Sequence, residues 1–168
     1  MNKKKMLGTL AMSLVLMGYV TATAVADPAL HGRWVSDDGG VELRFNNGHI
    51  EFWESESSMM RGTYTTSANM ITIHFTEFYG GFLSILFEAS GIPMDFPSSW
   101  FTQSKVITTV ENGLEDMGIP SAMIPDVLDL FSEVFGQFFS AGTGAYEVSG
   151  NTLTMTLLAA AVAFTRVN

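Results

Sequence analysis

Asn46-Asn47-Gly48 stands between two runs in which apolar residues occupy alternate positions. Val41, Leu43 and Phe45 precede it, Ile50 and Phe52 follow it, and Glu42, Arg44 and Glu51 fall in between. A period of two sends successive side chains to opposite faces of a strand, so each run has one buried and one wet face. Asn and Gly tolerate the positive φ that a tight hairpin turn requires. The segment is therefore an antiparallel hairpin. The signal recurs over residues 61–66, a turn at Ser67-Ala68-Asn69, and a return with Ile71 and Ile73 opposite Thr72 and His74. Residues 62–73 align without gaps on 144–155. Gly62, Tyr64, Ser67, Asn69 and Thr72 match Gly144, Tyr146, Ser149, Asn151 and Thr154. Whether a duplication or shared hairpin chemistry produced the match, both segments read as strand–turn–strand.

Eight strands are expected, at about 31–36, 40–46, 48–54, 60–67, 70–76, 143–149, 152–158 and 161–167. Short connections imply antiparallel neighbours, and eight such strands can close into an up-and-down barrel that leaves no edge. Residues 77–142 have a different character. Ile124, Val127, Leu128, Phe131, Val134, Phe135 and Phe138 follow helical spacing, with Asp126, Asp129, Glu133 and Gln137 opposite and Pro125 in the first turn. A second helix is expected over 99–117, aligning Trp100, Ile107, Val110, Leu114 and Met117, with Gly118 as its stop. A third, over 81–89, is apolar nearly all round. The fold class is mainly β: an eight-stranded antiparallel barrel with a helical insertion between its fifth and sixth strands.

The N-terminus reads as a targeting segment outside that fold. Lys3, Lys4 and Lys5 precede an apolar stretch from Met6 to Val20, and Ala24-Val25-Ala26 places small residues at the −3 and −1 positions of a signal-peptidase site. Cleavage after Ala26 is expected, which leaves 27–168 as one domain in a bacterial periplasm or outside the cell. The alternative is an uncleaved anchor, since residues 6–26 are long enough to span a bilayer. Without cysteine, lipid attachment, a disulfide scaffold, a thiolate metal site and a cysteine nucleophile are all excluded. Every one of the 17 acidic residues lies after Ala26, against five basic ones, a net charge of −12 over 27–168. That balance disfavours nucleic acid and anionic membrane surfaces.

Gly32-Arg33-Trp34 on the first strand, Gly-x-Tyr at 62–64 and 144–146, and Arg166 on the last strand together resemble the lipocalin-like (calycin-type) barrels, in particular small bacterial envelope domains of that kind. The resemblance implies that Trp34 packs under Arg166 and closes one end of the barrel. Separately, eight short strands enclose an interior that side chains fill or that holds one small ligand.

Nine of the 13 Phe, and Trp100, fall in the insertion. The insertion is expected to cover the open end of the barrel and to build an apolar pocket with it. Phe82, Leu86, Trp100, Phe131, Phe135 and Phe138 would then face Phe52, Ile73 and Leu153. The alternative is that these residues form an ordinary second core. A different use of the same helix is docking of its acidic, Phe-rich face in a protein partner's groove, and a third is conditional association with a membrane. His31, His49 and His74 lack zinc-ligand spacing. Asp37-Asp38-Gly39-Gly40 reads as a turn, and Glu51, Glu54 and Glu56 as a solvated face. Ser140-Ala141-Gly142-Thr143-Gly144 is glycine-rich but lacks the Lys of a phosphate loop, and no Gly-x-Ser-x-Gly elbow is present. No metal, cofactor or enzymatic activity is expected, and no stable membrane span after cleavage. N-terminal sequencing of the protein recovered from a bacterial envelope fraction should begin at Asp27; an intact Met1 or Asn2 start would overturn the cleavage expectation.

Overall fold

The structure is a computed structural model that describes residues 26–92, 94–157 and 160–167, with backbone alone for Leu130, Phe131, Glu133, Val134, Leu157 and Ala160. The targeting segment, residues 1–25, lies outside the described residues. Nine strands follow in order: β1 (Gly32–Ser36), β2 (Val41–Asn46), β3 (His49–Glu54), β4 (Ser57–Ser67), β5 (Met70–Tyr79), β6 (Trp100–Phe101), β7 (Gly142–Ser149), β8 (Thr152–Leu157) and β9 (Ala160–Val167). All pairings are antiparallel. The ring runs β4-β3-β2-β1-β9-β8-β7-β5 and closes through β4–β5, while β6 hangs on the end of β5. The protein is thus a closed eight-stranded barrel with a helical insertion between its fifth and sixth wall strands.

The turns explain the register. Asn47 and Gly48 both have positive φ, as the β2–β3 hairpin demands. The two repeated hairpins place their left-handed residue at the equivalent position, Ala68 in one and Gly150 in the other. A side chain at positive φ carries a steric cost that glycine escapes. The β4–β5 pair runs longer than its alternation suggests. β5 continues to Tyr79, so the insertion proper spans 80–141 rather than 77–142. The extension becomes possible because the register shifts at Arg61/Gly62, which sets Glu77 opposite Arg61. Gly62 is required at this bulge: a Cβ there would stand 2.0 Å from the His74 carbonyl oxygen.

A short N-terminal turn plugs one end of the barrel. Asp27 caps the turn Pro28–Leu30, accepting from the Ala29 N–H at 2.8 Å. Leu30 and Trp34 are fully buried. Trp34 Nε1 donates to the Leu30 carbonyl at 2.7 Å. Trp34 lies opposite Arg166 in the β1–β9 ladder, and the guanidinium carbon sits 4.4 Å from the indole centroid. Arg166 also donates to the Ala29 carbonyl. Its Nε is buried with no hydrogen-bond partner among the described residues, facing the indole π cloud instead. Tyr146 donates to Asp27 Oδ2 at 2.7 Å, and burial together with that carboxylate pushes its hydroxyl up to about 12.

The insertion carries three helices, α1 (Gly80–Ala89), α2 (Gln103–Asp116) and α3 (Ile124–Phe135), with a tight 3-10 turn at Gly136–Phe139. The helix expected over 99–117 starts later because Thr102 acts as its N-cap. Upstream, Trp100 and Phe101 instead pair with Tyr79 and Phe78. The helix expected to run through Phe138 tightens into the 3-10 turn after Phe135. Gly80 permits close approach of α1 to the following loop, since a Cβ would lie 1.9 Å from the Pro97 oxygen. Leu30→Ala should cost roughly 2–5 kcal/mol by leaving a cavity under Trp34, whereas Ala68→Gly should stabilise by about 0.5–1 kcal/mol. Urea unfolding of both variants checks the pair.

Candidate binding grooves at the barrel rim

The residues expected to line a pocket beneath the insertion separate into three groups. Phe52, Ile73 and Leu153 are buried and belong, with Phe82 and Phe135, to one continuous apolar cluster joining barrel and insertion. Leu86 and Phe138 are half-buried against that cluster. Trp100 lies elsewhere: it meets Tyr79 at 5.6 Å between ring centroids, and the Arg61 guanidinium carbon lies 4.3 Å over it. Placed on β6 rather than α2, its ring belongs to the neighbourhood of the Arg61–Glu77 ion pair at 2.7 Å. The side chain of Phe131 lies outside the described residues.

Within the insertion the rings occupy one another's space. Phe87 packs on Phe96 and Phe135 at 4.9 and 4.8 Å. Phe78 meets Phe139 at 4.4 Å, and Phe96 meets Phe101 at 5.3 Å. A crevice bordered by Val106, Ile107, Phe135 and Phe139 encloses only about 10 Å³, space for a single water. These contacts give the aromatic residues the character of a second core.

Room for a ligand occurs at the rim, on the two sides of the β1–β2 turn. β1 is short and its last partner is Ser36 opposite Phe164, so β9 runs on past it through Ala163, Val162 and Ala161. The small side chains there leave a groove of about 300 Å³, lined by Ser36, Asp37, Asp38, Val41 and residues 161–164. The turn that walls it is rigidly tied. Gly39 N–H donates to the Ser36 carbonyl at 2.7 Å, Ser36 Oγ donates to Asp38 Oδ1 at 2.6 Å, and Gly40 N–H donates to the same oxygen at 3.1 Å. Those bonds, Ser36's foremost, hold the Asp38 carboxyl below the usual carboxylate range. This groove is mainly apolar, with acidic groups at its edge.

The second groove, about 210 Å³, is the more polar of the two. It is lined by Arg33, Val35, Gly39, Gly40, Val41, Glu42, Arg44, Trp53, Ser55 and Glu56. Arg33 grips Glu42 with a bidentate fork, Nε to Oε1 and Nη2 to Oε2, both at 2.8 Å. Arg44 donates to Oε1 as well and lays its guanidinium 3.6 Å over the Trp53 ring. Trp53 Nε1 in turn donates to Glu51 Oε2 at 2.8 Å. The Arg33 hydrogen bonds, reinforced by Arg44 against the opposing effect of burial, draw the Glu42 carboxyl down from 4.5 to about 2. The far wall is a turn with Ser55 and Glu56 both at positive φ. Period-two alternation puts Arg33, Glu42 and Arg44 on the wet face but says nothing of their convergence. The register Arg33↔Arg44, Glu42↔Trp53 and Arg44↔Glu51 assembles them.

Among the described residues no group of three or more His, Asp or Glu is placed to hold a metal ion, and no helix is long and apolar enough to cross a membrane. Compared with known proteins, the chain matches no family model, no curated protein and no solved structure.

A depressed folded-state pKa contributes stability above the unfolded value and loses it as pH falls. Glu42 therefore stabilises the rim fully above about 4.5, and that contribution disappears as pH drops toward about 2. Glu42→Gln should unfold at lower urea than the parent at pH 7, and the gap should close between pH 4.5 and 2. A gap independent of pH would contradict the assignment.

Proposed function

We propose that the protein is an exported, non-catalytic, lipocalin-like barrel that binds a small apolar or amphiphilic molecule in the rim groove between the β1–β2 turn and β9. The observation that carries this reading is the groove of about 300 Å³ walled by Val41, Ala161, Val162, Ala163 and Phe164. Its volume is at the lower end for small-molecule sites, and its few polar groups are confined to one turn, the usual make-up of such a site. Export is supported by the Lys3–Lys5 head, the apolar stretch and the Ala24-Val25-Ala26 site. Docking of the Phe-rich helix in a partner is less supported, because Phe135 is buried and stacks on Phe87 within the protein's own core.

Affinity in this reading comes from apolar burial. Six methylenes removed from water contribute roughly 5 kcal/mol, which corresponds to a Kd of order 0.1 mM. Polar contacts at the rim would tighten it.

Native mass spectrometry and displacement of a fluorescent acyl probe test the proposal. Ala163→Trp should fill the groove and abolish probe binding at unchanged stability. Phe135→Leu should weaken the fold by about 1 kcal/mol and leave probe binding intact. The reverse pattern would move the ligand beneath the insertion, and failure of the parent protein to bind any acyl probe would overturn the proposal.

A further inference from the structure

The two rim grooves are neighbours. Both have Val41 as a wall, and the turn at 37–40 divides them, with Asp37 and Asp38 facing one side and Gly39 and Gly40 the other. One is largely apolar and the other is built from paired charges and an indole. We infer that the ligand is an amphiphile with an uncharged polyhydroxylated head, such as an alkyl glycoside or glycolipid, whose apolar chain takes the first groove while its head takes the second. This inference rests on the small-molecule reading proposed above and names the class of molecule.

The head-group assignment follows from the chemistry of the walls. Arg33, Arg44, Glu42 and Glu56 all line the polar groove, so its lining carries no net formal charge. A phosphate head would meet two carboxylates there, on a chain whose residues 27–168 carry −12. An ammonium head would meet two guanidiniums. A hydroxyl both donates and accepts, so a ring bearing several of them can bond a guanidinium edge and a carboxylate at once. The groups are also fixed beforehand. Arg44 is held between Glu42 and the Trp53 ring, Trp53 is tied to Glu51, and Glu42 is gripped by two arginines. Side chains already immobilised lose little further entropy when a ligand arrives. The side chains of Arg33 and Arg44 remain 48% and 36% exposed, in reach of a ligand. The wall on the other side, Ser55–Glu56, is a turn at the end of β3 that stands free of the insertion's aromatic core, so it offers a polar boundary to a head group rather than a hydrophobic one.

Isothermal titration of the processed protein with n-octyl glucoside below its micellar concentration, n-octanol, glucose, octyl phosphate and octylamine tests the inference. The glucoside should bind at least about fivefold more tightly than octanol, and glucose alone should give no measurable heat. Arg44→Ala and the exposed Glu56→Gln should each bring the glucoside down to the affinity of octanol and leave octanol unchanged. Ala163→Trp should abolish both. Octanol binding with no advantage for the glucoside would overturn the inference and leave the apolar-groove reading standing. Octyl phosphate or octylamine binding as tightly as the glucoside would also overturn it. If neither octanol nor the glucoside binds, the small-molecule reading falls and takes the inference with it.

Discussion

Closure of the barrel depends on one antiparallel contact between the ends of the chain, β1 against β9. Every other wall strand pairs with a neighbour close in sequence, apart from β5 and β7 across the insertion. β1 and β9 must find each other over more than a hundred residues, so their pairing bears the largest loop-closure cost. The seam is reinforced where it is most needed. Trp34 and Arg166 face each other across it, the indole lies under the guanidinium, and both side chains bond backbone carbonyls of the N-terminal turn. Burying Trp34 completely against Leu30 also supplies the dry plug that a barrel of this size needs at one end.

The insertion solves a different problem at the other end. Its helices leave the barrel at Tyr79 and return at Gly142, so their aromatic residues pack directly onto the mouth side of β5. Phe78 on that strand meets Phe82 from α1 and Phe138 and Phe139 from the 3-10 turn. The result is one apolar cluster, continuous from the plug at Leu30 to Val110 and Leu114 on α2. Among the described side chains, the insertion's rings stack on one another. Close packing of this kind favours a filled core over an open pocket, since each void forfeits dispersion contacts.

That rim results from mismatched strand lengths. β1 stops at Ser36 while β9 continues through Ala160 to Ala163, and small side chains at the overhang leave volume where larger ones would have closed it. On the other side of the same turn the outward residues of β1, β2 and β3 come into register, and oppositely charged groups with a shared indole form a fixed polar wall. The two surfaces differ in chemistry because one straddles a strand edge and the other lies on the wet face of the sheet.

The local features of this protein were legible in its residue order. Alternation located the strands, Asn46-Asn47-Gly48 and Ser67-Ala68-Asn69 located turns, and the spacing of Ile124, Val127, Leu128 and Phe135 located α3, because backbone periodicity and turn chemistry act over a few residues. Other features required tertiary structure. The start of α2 moved because Trp100 and Phe101 gained a β5 partner that no local pattern reveals. The extension of β5 to Tyr79 depended on a bulge opposite it at Gly62. Glu51 read as part of a solvated face until the β2–β3 register brought Arg44 and Trp53 beside it. Whether the Phe-rich insertion encloses a cavity was undecided by composition, since the same rings can line a void or fill it. Only their mutual distances distinguish the two, and those are set by contacts between residues far apart in the chain.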